Sequence, residues 1–174
     1  DFGRVLGRVD VVILSDYGKG GLKRIAEMIG MARRAGKMVL VDPKGEDYSR
    51  YRGATLVTPN RSEFRQVAGS WKSENELTGR AQQLRRKLEA KALLITRGDE
   101  GMTLFQDVGR FHVAAQAREV FDVSGAGDTV IATLGVALAS GMRMKEAVKL
   151  ANRAGGIVVG KLGTAVVTPK ELFG

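Results

Sequence analysis

The chain has 174 residues, 44% hydrophobic and 27% charged, which suits one domain with a real core and excludes wholesale disorder. It has no cysteine and a single histidine, which excludes a disulfide scaffold, a thiolate zinc site and cysteine catalysis and argues against a histidine-based metal cluster. The formal charge of +9 fits nucleic acid or small anions such as phosphates, but the basic residues are scattered and aromatics are only 6%, so nucleic acid is the disfavoured partner.

Residues 11–14 form a short continuous apolar run ended by Ser15 and Asp16, which reads as a buried parallel strand. A glycine-rich loop, 18–21, follows. Leu22, Ile25, Ile29 and Ala32 then recur at helical spacing, with Gly36 as a stop. Residues 38–41 and 55–58 read as further buried strands, ended by Asp42-Pro43-Lys44-Gly45 and Pro59-Asn60. A short helix is expected over 62–68. Ser73 and Glu76 fit a capping box opening a helix to Lys87 or Leu88. Residues 92–96 read as a fourth buried strand, and 102–105 and 110–113 as a hairpin around Asp107-Val108-Gly109. Helices are expected over 128–139, the first of them buried, and over 144–159. Thr168-Pro169 opens a last helical turn. Alternating strands and helices predict a layered α/β fold with a mostly parallel sheet, in which ligands bind along the carboxyl ends of the strands. No apolar run is long enough to span a bilayer and no secretory signal is present, so the expected setting is cytoplasmic, away from membranes.

The richest segment is Asp122-Val123-Ser124-Gly125-Ala126-Gly127-Asp128-Thr129, followed at once by an apolar helix. The glycines let the backbone approach a ligand, and amides at a helix start attract anions. A carboxylate beside an anion needs a reason, and accepting a proton from a hydroxyl that attacks phosphorus is one. A glycine turn with Asp128 as a helix cap fits the spacing equally well. Asn60 and Glu63 read either as a helix cap or as groups for phosphate and hydrated Mg²⁺. Lys19 and Lys44 lie just past strand ends, where they either approach phosphates or stay solvated. Asp16 either contacts sugar hydroxyls or metal, or ends its strand. His112 is expected on the hairpin surface and Trp71 at a helix boundary.

The segment 122–128 resembles the carboxyl-terminal signature of the ribokinase-like (PfkB) carbohydrate kinases. The resemblance implies a layered αβα fold, ATP and Mg²⁺ as cofactors, and Asp128 as general base. It makes the amides of Gly125, Ala126 and Gly127 the anion hole. Thr58-Pro59-Asn60-Arg61-Ser62-Glu63 resembles the family's Asn-x-x-Glu motif, which implies Asn60 on nucleotide phosphates and Glu63 organising water around Mg²⁺. The run 94–101 resembles the strand and turn at the adenosine site, implying ATP contacts from Thr96 and Gly98. Asn152 matches the helix bordering the adenine pocket. Asp122 and Ser124 match positions that hold a monovalent cation in some members.

A narrower similarity covers nearly the whole chain. Ser15-Asp16-Tyr17-Gly18-Lys19-Gly20, Val41-Asp42-Pro43-Lys44-Gly45, Tyr51-Arg52-Gly53-Ala54-Thr55 and 159–164 resemble the bacterial heptose-7-phosphate kinases, and Arg97 agrees with that subgroup. This implies a sugar phosphate and ATP as partners, with phosphorylation at C1 of D-glycero-β-D-manno-heptose 7-phosphate on the route to ADP-heptose. The whole of 1–174 resembles the carboxyl-terminal part of such a kinase, without the amino-terminal strands and small β-lid. The expected consequence is an exposed sheet edge or apolar face, and with it a homodimer or a missing amino-terminal half.

Overall fold

Apolar runs without polar alternation need cover on both faces, and the fold supplies it. The computed structural model describes residues 1–116 and 120–174. The strands are β1 Val11–Ser15, β2 Met38–Asp42, β3 Leu56–Val57, β4 Ala92–Thr96, β5 Met102–Gln106 and β6 Gly109–Val113. The helices are α1 Phe2–Val5, α2 Ile25–Arg34, α3 Arg61–Ala68, α4 Glu74–Lys87, α5 Ala126–Ala139, α6 Met144–Val159 and α7 Pro169–Phe173. All strands join one sheet whose spatial order is the chain order. β1 to β4 are mutually parallel, while β5 pairs antiparallel with both β4 and β6.

Successive strand residues point to opposite faces, so each buried strand feeds two cores. In β4, Leu93 and Ile95 join Phe64, Leu77 and Ala81 of α3 and α4, whereas Ala92 and Leu94 join Leu134 and Val148 of α5 and α6. In β2, Val39 and Val41 take the first side and Leu40 the second. The result is the expected αβα layering.

Some expectations need adjustment. The capping box at α4 is half built: Ser73 accepts from the Glu76 amide, but the Glu76 carboxylate turns to the Lys72 amide. Only Leu56 and Val57 count as β3, although Thr55 and Thr58 still donate to Val39 and Val41 carbonyls. α5 starts at Ala126, two residues before the expected Asp128. Nor is α5 buried all round: Val130, Ile131 and Leu134 pack inward while Val136 is 73% exposed. β1 is an outer strand of the sheet, and Ile13 on it is 38% exposed, so the expected open edge and apolar face are both present. Trp71 packs edge-on against Phe64 at the start of α4, and His112 is exposed on β6 with Nδ1 2.9 Å from the Thr103 hydroxyl. Among the described residues no helix is long and apolar enough to cross a membrane.

Candidate active site

The parallel strands end together, so the polar residues after β1, β2, β3 and β4 meet at one sheet edge. An isolated parallel bridge between Asn60 and Thr96 extends the β3–β4 pairing there. Asn60 caps α3: its side-chain oxygen accepts from the Glu63 amide at 2.9 Å, and Glu63 accepts from the Asn60 amide at 3.0 Å. The capping bonds use only the side-chain oxygen of Asn60, so its amide nitrogen is still able to donate to a phosphate. Cap and phosphate contact are therefore compatible roles. The other Glu63 oxygen lies 3.0 Å from Lys44 Nζ, and this bond, then the Glu63 charge, raises the Lys44 pKa above its usual value.

Asp128 lies in the first turn of α5, and Gly125 before it has φ 76°, a left-handed turn that a side chain would strain. The Ala126 amide is drawn to the Val123 carbonyl at 3.2 Å, and Thr129 closes the first helical bond on Gly125. Of Gly125, Ala126 and Gly127, Ala126 thus has its amide bonded within the chain. The amides of Gly127 and Asp128 are left at the open, positive end of the helix. A side chain built at Gly127 would meet nothing within 4 Å, so the space over that turn is open.

Two residues at this edge are not singled out by the sequence, Tyr17 and Asp42. The Tyr17 hydroxyl donates to Asp128 Oδ1 at 3.0 Å. Asp42, at the end of β2, has its pKa pushed up to about 6, first by burial, then by the charge of Glu63, with a smaller push from Asp128. Ser15 donates to it at 3.3 Å. Their sequence signals are position at a strand end and membership of two of the segments that carry the resemblance.

Beside this edge lies a cavity of about 580 Å³. Thr96, Gly98, Ala126, Gly127 and Asn152, singled out for nucleotide or anion contact, all line it. Asn152 is buried, and its amide donates to the Ala114 carbonyl at 2.8 Å. It therefore holds the chain leaving β6 as a wall of the cavity. Gly101 makes that wall possible: it has φ 93°, and a side chain there would lie 2.1 Å from the Val113 carbonyl oxygen. Behind the Gly98 turn, the buried Arg97 guanidinium binds Glu74 at 2.6 and 3.0 Å, Thr103 at 3.3 Å, and Glu100. The hydrogen bond from Arg97 holds the Glu74 carboxyl below its usual pKa.

The remaining expected contacts take other places. Asp16 is 5% exposed and accepts from the Gly18 amide and the Tyr51 hydroxyl, each at 2.9 Å, with Arg50 3.6 Å away. Its carboxylate bonds internal partners and so anchors the loop after β1. Lys19 is exposed and makes no ion pair among the described residues. Asp122 accepts from the Ser124 amide at 2.8 Å and the Gly163 amide at 3.1 Å, which lowers its pKa and ties the two loops together. No group of three or more metal-ligating side chains comes together among the described residues. Glu63 and Asp128 both add negative charge beside Asp42, which makes this edge favourable to a cation.

The family model described as pfkB family carbohydrate kinase matches residues 12–171. The chain is 60% identical over 171 residues to a protein of Bordetella bronchiseptica named D-beta-D-heptose 7-phosphate kinase, covering 98% of this chain and 55% of that one. It is 56% identical over 170 residues to the bifunctional protein HldE of Aeromonas hydrophila, covering 97% of this chain and 36% of that one. The chain thus spans about half the length of the first relative and about a third of the second. Arabidopsis thaliana ribokinase, solved with ribose and ATP, superposes with a TM-score of 0.86 at 21% identity, over 98% of this chain and 56% of that one. Escherichia coli phosphofructokinase-2, solved with potassium, does so with a TM-score of 0.82 at 20% identity, over 98% of this chain and 58% of that one. The fold is ribokinase-like, and the chain belongs to the pfkB family of carbohydrate kinases.

Proposed function

We propose that this chain carries the nucleotide site and the general base of a cytoplasmic ATP-dependent sugar kinase. Its acceptor is D-glycero-β-D-manno-heptose 7-phosphate, converted to the 1,7-bisphosphate on the route to ADP-heptose and the lipopolysaccharide core. The observation that carries the reading is the carboxylate of Asp128 in the open first turn of α5, beside the Gly127 side of the cavity. The substrate choice rests on the names and identity of the relatives.

The chemistry follows from the geometry. ATP occupies the cavity between the Gly98 turn and Asn152, with its phosphates toward Gly127. Asp128 accepts the proton of the C1 hydroxyl as that oxygen bonds to the γ-phosphorus and the bond to the ADP oxygen breaks. Negative charge on the transferring phosphoryl oxygens meets the Gly127 and Asp128 amides and the positive end of α5. Asn60 donates to the nucleotide phosphates, and Lys44 is kept charged by Glu63. Glu63 and Asp42 would hold Mg²⁺, and the ion would supply charge neutralisation on the phosphates.

A second reading is nucleotide binding without turnover by this chain alone. The exposure of Lys19 and of the β1 edge favours it, because the acceptor side is open. A second copy or further chain along β1 would close that side.

The test is ADP release from Mg-ATP with and without the heptose 7-phosphate, beside fructose 6-phosphate and ribose. Release that depends on the heptose supports the kinase and its subgroup. Release with another sugar reassigns the acceptor within the family. ATP binding without release from this chain, with release from the complete open reading frame, identifies the chain as the nucleotide-binding part. No release from either removes the kinase reading.

A further inference from the structure

A carboxylate base works when one oxygen faces the hydroxyl it deprotonates. A solvent-exposed aspartate turns freely about two torsions, so something must fix it. Asp128 is exposed, and helix α5 restrains its backbone but not its carboxylate. Among the described residues, one side chain bonds it: the Tyr17 hydroxyl, 3.0 Å from Oδ1 and 111 residues away in sequence.

Packing does not explain why Tyr17 is there. It is 61% exposed, so its ring is not held by burial. The loop that carries it is held instead. Asp16 accepts from the Gly18 amide on the far side of Tyr17, and from the Tyr51 hydroxyl below. The Tyr51 hydroxyl also accepts from the Lys44 amide at 3.0 Å, which ties the loop after β1 to the loop after β2. Tyr17 therefore projects from a braced platform toward the first turn of α5. A phenol at neutral pH donates one hydrogen bond, and donation to a carboxylate is the stronger, charge-assisted kind.

We propose that Tyr17 is a positioning residue for the base: its hydroxyl holds Oδ1 of Asp128 so that Oδ2 faces the acceptor hydroxyl. The inference rests on the kinase reading above and adds to it a residue outside the glycine-rich segment. It also gives the buried Asp16 a purpose, as the anchor of the loop that presents Tyr17.

The test is a double-mutant cycle on the protein expressed from its complete open reading frame, with Mg-ATP and the heptose 7-phosphate. Tyr17→Phe keeps the ring and removes the hydroxyl, and at an exposed position it should leave the melting temperature unchanged. The expected result is a fall in kcat of about tenfold, with KM for ATP unchanged. In an Asp128→Asn background the same substitution should have no further effect, because there is no carboxylate left to orient. A merely structural Tyr17 would cost the same factor in both backgrounds, and that result overturns the proposal. So does an unchanged kcat. A fall in acceptor KM with a higher kcat would mean that Tyr17 only occupies the place of the acceptor hydroxyl, and overturns it too. Failure of the underlying reading looks different: unsubstituted protein without heptose-dependent ADP release, or Asp128→Asn with full turnover.

Discussion

The two sides of the site are built differently. On the β4–β6 side, the cavity is walled by groups whose partners lie within the chain: Asn152 on the Ala114 carbonyl, Arg97 on Glu74 and Thr103, Gly101 pressed against the chain leaving β6. On the β1 side, Asp16 is buried, but Tyr17 and Lys19 stand in solvent and Ile13 shows part of its surface along the open edge. Under the proposed function, the nucleotide side is preorganised by contacts within the chain, whereas the acceptor side depends on one braced loop. Affinity for ATP and rate of transfer should therefore respond to different substitutions.

The largest expected effect is on the packed side. Gly101→Ala puts a methyl group onto the Val113 carbonyl at a backbone angle unfavourable to side chains, and should cost about 2–5 kcal/mol of stability. Thermal unfolding measures it, and ATP affinity should fall with it. An unchanged melting temperature would show that the wall is not rigid.

Asp128→Asn is the complementary change on the open side. Turnover should fall by about 10²-fold or more while ATP binding, followed by calorimetry, stays nearly the same. Loss of both together would break the separation of the two sides.

Asn152→Ala leaves the Ala114 carbonyl without its donor and should cost about 1–3 kcal/mol, with weaker ATP binding and little change in kcat. A kcat effect as large as the affinity effect would place Asn152 in the chemistry instead.

The smallest effect concerns pH. Asp42 rises from 3.8 to about 6, chiefly through burial and the Glu63 charge. Its proton is bound more tightly in the folded chain than in the unfolded one. Its contribution is therefore fully present below pH 3.8 and declines as pH rises through about 6. Denaturant unfolding of Asp42→Asn should lose that decline, and Mg²⁺ should stabilise the unsubstituted chain above pH 6 more than the variant. Parallel pH curves for the two proteins would remove Asp42 from the acidic edge.

Much of this was legible in the residues. The runs 11–14, 38–41 and 92–96 read as doubly covered strands because burial on both faces removes the polar alternation a half-exposed strand would keep. The Asn60–Glu63 cap and the glycine turn before Asp128 were legible because their bonds span three or four residues. What the sequence did not show are contacts closed by the sheet. Tyr17 meets Asp128 only after α5 lies down against β1. Asp42 acquires its raised pKa first through burial and then as Glu63 and Asp128 converge on it. Nothing local to Asp16 reveals that Tyr51 and Arg50 will close over it. Nothing local to Asn152 reveals its bond to a backbone carbonyl 38 residues earlier.

The agreement between spatial and chain order of the strands has a consequence for how the molecule is made. Each strand pairs with one already formed or with the next to emerge, so the sheet can grow from β1 onward during synthesis with few distant encounters. The distant step is the return of α5 to β1 and β2. That step brings Asp128 to Tyr17, so their contact forms only after the strands beneath it are in place. A chain stopped before α5 would carry the six described strands with one face bare and without Asp128.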